Sequence, residues 1–310
     1  MSEAIVSAKD LSKWYGEVIG LNNFDVTIGR GITGVVGPNG AGKSTLFKLL
    51  IGTIKPNAGE LLVLGRCPWK DSKLLSSIGF CPDYDFLYPD LTGRDYLRFA
   101  AGLHGIGGAA RESRVDEVLG TVEMTKAADR KIGGYSKGMK QRIKIGGALM
   151  HDPPLLLLDE PFTGTDPAVR RELIDLVKML NREQGRDIII STHVLHEVER
   201  LTHNIALIYK GRAVATGDIS EIRGLMSRYP HNIVVEGKGM VELAKMLVER
   251  DYTVSVELGP DRKGLSVKVN RPEDFFDSVP ELLKNPAWEL ESMHSTDDDL
   301  ESVFRYMVGW

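Results

Sequence analysis

Residues 37–45 read Gly37-Pro38-Asn39-Gly40-Ala41-Gly42-Lys43-Ser44-Thr45, set between an apolar run at Ile32–Val36 and a helix-like stretch at Leu46–Leu50. The first neighbour predicts a strand and the second a helix, so the glycine-rich segment is the turn between them. Glycines let successive backbone N–H groups point inward on phosphate oxygens, and a helix N-terminus adds partial positive charge. In that arrangement Lys43 reaches the terminal phosphates and the Ser44 hydroxyl ligates Mg²⁺. Gly37 through Thr45 are therefore the expected nucleotide-binding segment, with a nucleoside triphosphate as ligand.

A second stretch belongs with the first. Leu155-Leu156-Leu157-Leu158-Asp159-Glu160 is an apolar strand ending in two carboxylates. Such a strand places its acids at the sheet edge where phosphates and metal gather. Asp159 is expected to hold Mg²⁺ through a water, and Glu160 to polarise the attacking water. Asp187–Ser191 reads as another buried strand, and Pro167–Arg182 as the helix between the two, opened by Asp166-Pro167. Strand, crossover helix and strand predict a parallel sheet covered on both faces. Residues 1–36 alternate and predict an antiparallel β layer, and helix dominates from Thr92 to Met150.

Bulk properties bound the answer. The 310 residues exceed one compact core and predict two domains. A 42% hydrophobic and 26% charged composition is that of a globular protein, and a net charge of −4 gives no general pull toward nucleic acid or anionic lipid. The two cysteines, Cys67 and Cys81, have no metal-like spacing and suit a reducing compartment. No run approaches the roughly 18–20 apolar residues of a membrane span, and the N-terminus does not read as a secretory leader. Any membrane connection must then come through a partner.

Near Ser227–Asn232 the pattern changes. Strand (Ile233–Glu236), helix (Met240–Glu249), strand (Tyr252–Leu258), strand (Leu265–Val269), helix (Pro272–Leu283) and strand (Trp288–Met293) follow. This βαββαβ order is that of a split βαβ sandwich. A last helix is expected after Asp297–Asp299, with Leu300, Val303, Phe304 and Met307 on one face.

With the two phosphate-site motifs in place, the chain resembles the ATP-binding subunit of ABC transporters over about residues 4–217. The segment Tyr135-Ser136-Lys137-Gly138-Met139-Lys140-Gln141-Arg142 resembles the family's signature motif in its exporter-like branch, related to drug and antibiotic efflux. The resemblance implies that Ser136, Lys137, Gly138 and Met139 face the nucleotide of an opposing subunit. It also implies a switch role at the γ-phosphate for His193, a dimer-crossing loop at Asp166, and a ring at Tyr15 stacked on adenine. Trp14 is then either a core neighbour or Tyr15's substitute. Three residues depart from the usual pattern: Asp83 stands where a glutamine is typical, leaving it a third candidate for Mg²⁺, and Lys137 and Met139 stand where Gly and Gln are typical. His151, His196 and His203 match no motif and are read as surface residues.

The implied fold is an α/β P-loop NTPase of ABC type: a mixed β-sheet core, an antiparallel β layer and a helical subdomain at about 84–150, spanning residues 1–228. A small α+β domain of regulatory or dimer-supporting character is expected over 229–310. The implied activity is hydrolysis of ATP with Mg²⁺ in a head-to-tail homodimer, or in a pair with a related ATPase. That hydrolysis would power separate membrane-spanning permease subunits, with the chain held on the cytoplasmic face of the membrane. Phe86, Leu87 and Tyr88 form the expected anchor patch for that permease, against packing within their own subdomain. Nucleic acid is not an expected partner. The competing reading is a soluble ABC ATPase of cofactor assembly or of ribosome-linked or nucleic-acid work.

Overall fold

The computed structural model describes residues 4–219, 222 and 231–295. Two compact units divide the chain, Met1–Asp218 and Ile219–Trp310. The expected final helix, with Leu300, Val303, Phe304 and Met307, lies outside the described residues, as does most of the 227–232 boundary.

In the first unit, β3 (Ile32–Val36), β5 (Ile78–Cys81), β6 (Leu155–Asp159), β7 (Asp187–Thr192), β8 (Asn204–Tyr209) and β9 (Arg212–Asp218) form one sheet in the order β5-β6-β7-β3-β8-β9. All neighbours are parallel except β8 and β9. The apolar runs are continuous because both faces are covered. Leu155, Leu157 and Ile189 enter one core with Leu46, Phe47 and Leu50 of α1 (Lys43–Leu50). Leu156, Leu158, Ile188 and Ile190 enter the other, with Leu173 and Val177 of α5 (Pro167–Arg182). Each such side chain contributes roughly 1.5–3 kcal/mol on burial.

Over the α1 face lies an antiparallel sheet of β2 (Val18–Ile28), β1 (Val6–Tyr15) and β4 (Ala58–Val63), in that order. The antiparallel layer expected from residues 1–36 thus stops at Ile28. Ile32–Val36 is buried on both faces and joins the parallel sheet instead. The helical segment comprises α2 (Gly93–Leu103), α3 (Gly108–Thr121) and α4 (Lys137–Leu149). Thr92 and Asp95 start α2 with a reciprocal capping box. Asp166 caps α5, its carboxylate accepting from the N–H groups of Ala168 and Val169 at 3.1 and 3.0 Å.

The second unit has the expected order. Strands β10 (His231–Lys238), β11 (Thr253–Leu258), β12 (Gly264–Val269) and β13 (Glu289–Ser295) pair antiparallel as β11-β12-β10-β13. Helices α7 (Met240–Val248) and α8 (Pro272–Leu282) share a core with this sheet through Leu243, Leu247, Val267 and Phe275.

Candidate functional site

The glycine-rich loop leaves β3 at the carboxyl edge of the parallel sheet and enters α1 at Lys43, the position where open α/β sheets take ligands. Gly42 has a φ of +113°, and a Cβ there would stand 2.5 Å from the Gly20 carbonyl oxygen. Both the backbone and the space therefore demand glycine. The loop is tied to its surroundings by Gly37 N donating to Thr192 O at 3.3 Å and Gly211 N to Ala41 O at 2.8 Å. Lys43 folds back over the loop. Its Nζ donates to Gly37 O at 2.6 Å and lies 3.1 Å from Glu160 Oε1.

The parallel register sets Asp159 beside Ser191. The Ser191 hydroxyl donates to Asp159 Oδ1 at 2.5 Å and accepts from Glu160 N at 2.8 Å. One side chain thus holds both acids. Asp159 is 3% exposed. Burial pushes its carboxyl up; the negative charges of Asp83 and Glu160 add to this, against the bonds from Ser191 and Ser44. At Glu160 the balance reverses. Burial again pushes upward, but the Lys43 charge and the bonds from Lys43 and His193 prevail and hold the carboxyl below its ordinary value.

Glu160 has a φ of +47°, a left-handed backbone that costs a residue with a side chain on the order of 1 kcal/mol. The turn aims the carboxylate at its partners: Glu160 Oε2 accepts from Thr163 Oγ1 at 3.0 Å and lies 2.9 Å from His193 Nδ1. An ionised carboxylate only accepts, so Nδ1 carries the proton in this contact. Asn39, Asp83, Lys137, Glu160, Thr163 and His193 all border one cavity of about 370 Å³. A larger cavity of about 720 Å³ lies over β10 and β12 in the second unit and gathers none of the expected site residues.

Other expected residues take particular places. Tyr15 is exposed at the end of β1; a Cβ built on Gly20 would lie 3.0 Å from its ring and 2.9 Å from Thr45, so the ring stands beside the loop. Trp14 is also exposed and is not a core neighbour. Ser136 caps α4, accepting from Met139 N at 3.3 Å. Gly138 is buried against Val169, whose Cγ1 would be 2.3 Å from a Cβ. The Lys137 ammonium reaches across Gly164 of its own chain. Met139 packs on the helical core. Of the three histidines read as surface residues, His151 is not one: its ring stacks on His104 at 3.8 Å and its Nε2 lies 3.0 Å from Ile78 O.

The acid and hydroxyl pair suits a hard cation. Ser44 and Asp83 are both near enough to shift the Asp159 carboxyl, and all three offer oxygen. No cluster of three His, Cys, Asp or Glu side chains able to hold a metal occurs among the described residues.

Ser191 and Thr163 carry no role in the sequence reading. The signal for Ser191 was its place at the end of a strand expected beside the acidic one, but register alone could bring it to Asp159.

Comparison with known proteins places this geometry in context. The family model described as ABC transporter matches residues 21–163. The bacitracin transport ATP-binding protein of Bacillus licheniformis is 32% identical over 98% of this chain and 97% of its own length. The daunorubicin resistance ATP-binding protein of Streptomyces coeruleorubidus is 29% identical over 100% of this chain and 97% of its own. Among solved structures, an ATP-binding cassette in a dimeric, post-hydrolysis state with ADP and Pi superposes with a TM-score of 0.62 at 26% identity, covering 69% of this chain and 98% of the other. The Clostridium perfringens protein cbiO1, part of the transporter complex cbiONQ, gives 0.66 at 29%, covering 72% and 92%.

Proposed function

This chain belongs to the ATP-binding proteins of ABC transporters, and from that premise we propose that it hydrolyses ATP to drive a separate membrane-spanning permease that exports its substrate. The full-length likeness to proteins of bacitracin transport and daunorubicin resistance supports export. No helix among the described residues is long and apolar enough to cross a membrane.

The single observation that carries the chemistry is Glu160, held between Lys43, Thr163 and His193 at the cavity wall. Lys43 and the loop amides bind the phosphates, Tyr15 stacks on the base, and the ionised Glu160 accepts a proton from the attacking water. His193 orients that carboxylate. Ser44, Asp159 and Asp83 would hold magnesium, which supplies charge neutralisation on the phosphates when bound.

Two copies pair head to tail. Ser136 and Gly138 of one, flanked by Lys137 and Met139, close over the nucleotide of the other, with Asp166 at the crossing. ATP touches both copies only when the pair is closed, so it stabilises that state, and hydrolysis releases it. Leu87 of the expected patch packs on the helical core, whereas the exposed Tyr84, Tyr88 and Phe99 with the half-exposed Phe86 offer the permease an apolar patch. The accessory unit over 229–310 is assigned to regulation or dimer support.

The test is photo-crosslinking from Tyr88 in membranes of the source cell. A membrane-spanning protein captured there, and lost from membranes lacking its gene together with this chain, is the expected result. Recovery of this chain in the soluble fraction with no membrane partner overturns the proposal.

A further inference from the structure

A second buried carboxylate reaches the His193 turn. Glu197, in the short helix α6 (Leu195–Glu199), is 5% exposed. Its Oε2 accepts from Thr192 Oγ1 at 2.7 Å, and that hydroxyl in turn accepts from Val194 N at 3.0 Å. Residues 192 and 194 flank His193, so one hydroxyl fixes the backbone on either side of the histidine. The other oxygen, Oε1, lies 3.3 Å from Arg170 Nε, and Arg170 Nη2 donates to Thr165 O at 3.1 Å.

The path therefore runs from the Thr165 carbonyl through Arg170 and Glu197 to the hydroxyl that brackets His193. Thr165 sits one residue before Asp166, the expected crossing point of the dimer. At the cavity wall the same two turns meet again, because Thr163 and His193 share Glu160 Oε2. The 163–166 and 192–194 turns are thus joined by one carboxylate facing the reaction and by another buried away from it. A carboxylate removed from water costs several kcal/mol unless its partners repay it, and an apolar residue would fill the same space more cheaply. The burial of Glu197 against the partly exposed Arg170 is better explained by what it orients.

We propose that Glu197 is a positioning residue, coupling the 163–166 turn to His193, so that closure of the dimer at Asp166 is carried to the γ-phosphate side of the cavity. This rests on the roles given to His193 and Asp166 above.

The test uses the full chain with Glu197→Gln, which keeps an acceptor for Thr192 but drops the charge facing Arg170, with Arg170→Met, and with the double variant. Each single change should lower kcat roughly tenfold, as small misplacements of a catalytic group do. KM for ATP should stay within about twofold. Because both residues serve one link, the double variant should lose no more than the worse single. In the nucleotide-free chain the His193 ring resonances should move in both single variants and not in Glu183→Gln, a change at an exposed site. Additive losses in the double variant, unchanged kcat, or an unmoved His193 resonance each overturn the inference. If Glu197→Gln fails to fold, Arg170→Met, with its partly exposed side chain, carries the same test. A chain that hydrolyses no ATP even unsubstituted defeats the proposed function instead, while the resonance measurement still judges the link.

Discussion

Ser191→Ala would remove the one hydroxyl that touches both Asp159 and Glu160. The bond to ionised Asp159 is the larger loss. A hydrogen bond to a charged group contributes about 1.5–3 kcal/mol, and at a site this buried no water replaces it. The bond from Glu160 N is the smaller loss, since that amide also has Ser191 O at 3.2 Å. Together the variant should lose about 2–3 kcal/mol at neutral pH, or roughly 5–10 °C in the melting of a unit this size.

The cost should depend on pH in a fixed direction. The Asp159 carboxyl is raised in the folded chain, so the folded state binds protons more readily than the unfolded one. Stability then falls as pH rises from the ordinary carboxylate value through the raised one. Losing the Ser191 bond raises it further and deepens that fall. The assay is urea unfolding of the nucleotide-free Trp288→Phe, Trp310→Phe chain, whose remaining fluorescence comes from Trp14 and Trp69 of the first unit. In that background, adding Ser191→Ala should make a difference of about 1 kcal/mol near pH 4, growing to the full value at pH 7.5. A difference that is constant with pH, or that shrinks as pH rises, would refute the reasoning about Asp159.

Lys43→Ala should abolish nucleotide binding by titration calorimetry, and undiminished ATP turnover would contradict its role. Glu160→Gln should lower turnover at least a hundredfold while leaving an ATP-dependent dimer on gel filtration; a monomer at saturating Mg-ATP would count against the composite site. His151 is pushed down to about 4 by burial, with His104, Arg114 and Arg186 adding repulsion. A lowered histidine stabilises the fold above its unfolded value of 6.5 and loses that contribution as pH falls toward 4. The melting midpoint should therefore drop less between pH 7 and pH 4.5 in His151→Gln than in wild type, and superimposable profiles would exclude the effect.

Motifs set by neighbouring residues were legible before the fold. The loop at 37–45 needs glycines where the backbone turns, and Gly40 and Gly42 do carry positive φ. Asp166-Pro167 announces α5 because capping is a contact between residues two or three apart. The βαββαβ order of the second unit also followed from periodicity alone. Assigning Ile32–Val36 to the antiparallel layer failed because a five-residue apolar strand reads the same in either sheet. His151 failed for a related reason: nothing beside it in sequence predicts a stack on His104, forty-odd positions earlier.

Local order in the chain, then, was enough to name a phosphate loop, a strand tipped with acids, a histidine after the next strand and an α/β core to carry them. Tertiary structure alone decided that Ser191 grips both acids, that Lys137 reaches across its own Gly164, and that Arg170, Glu197 and Thr192 form one link. The reason is physical. Backbone conformation and periodicity are written in adjacent residues, whereas strand register and the pairing of buried charges arise only when distant segments share the same dry space.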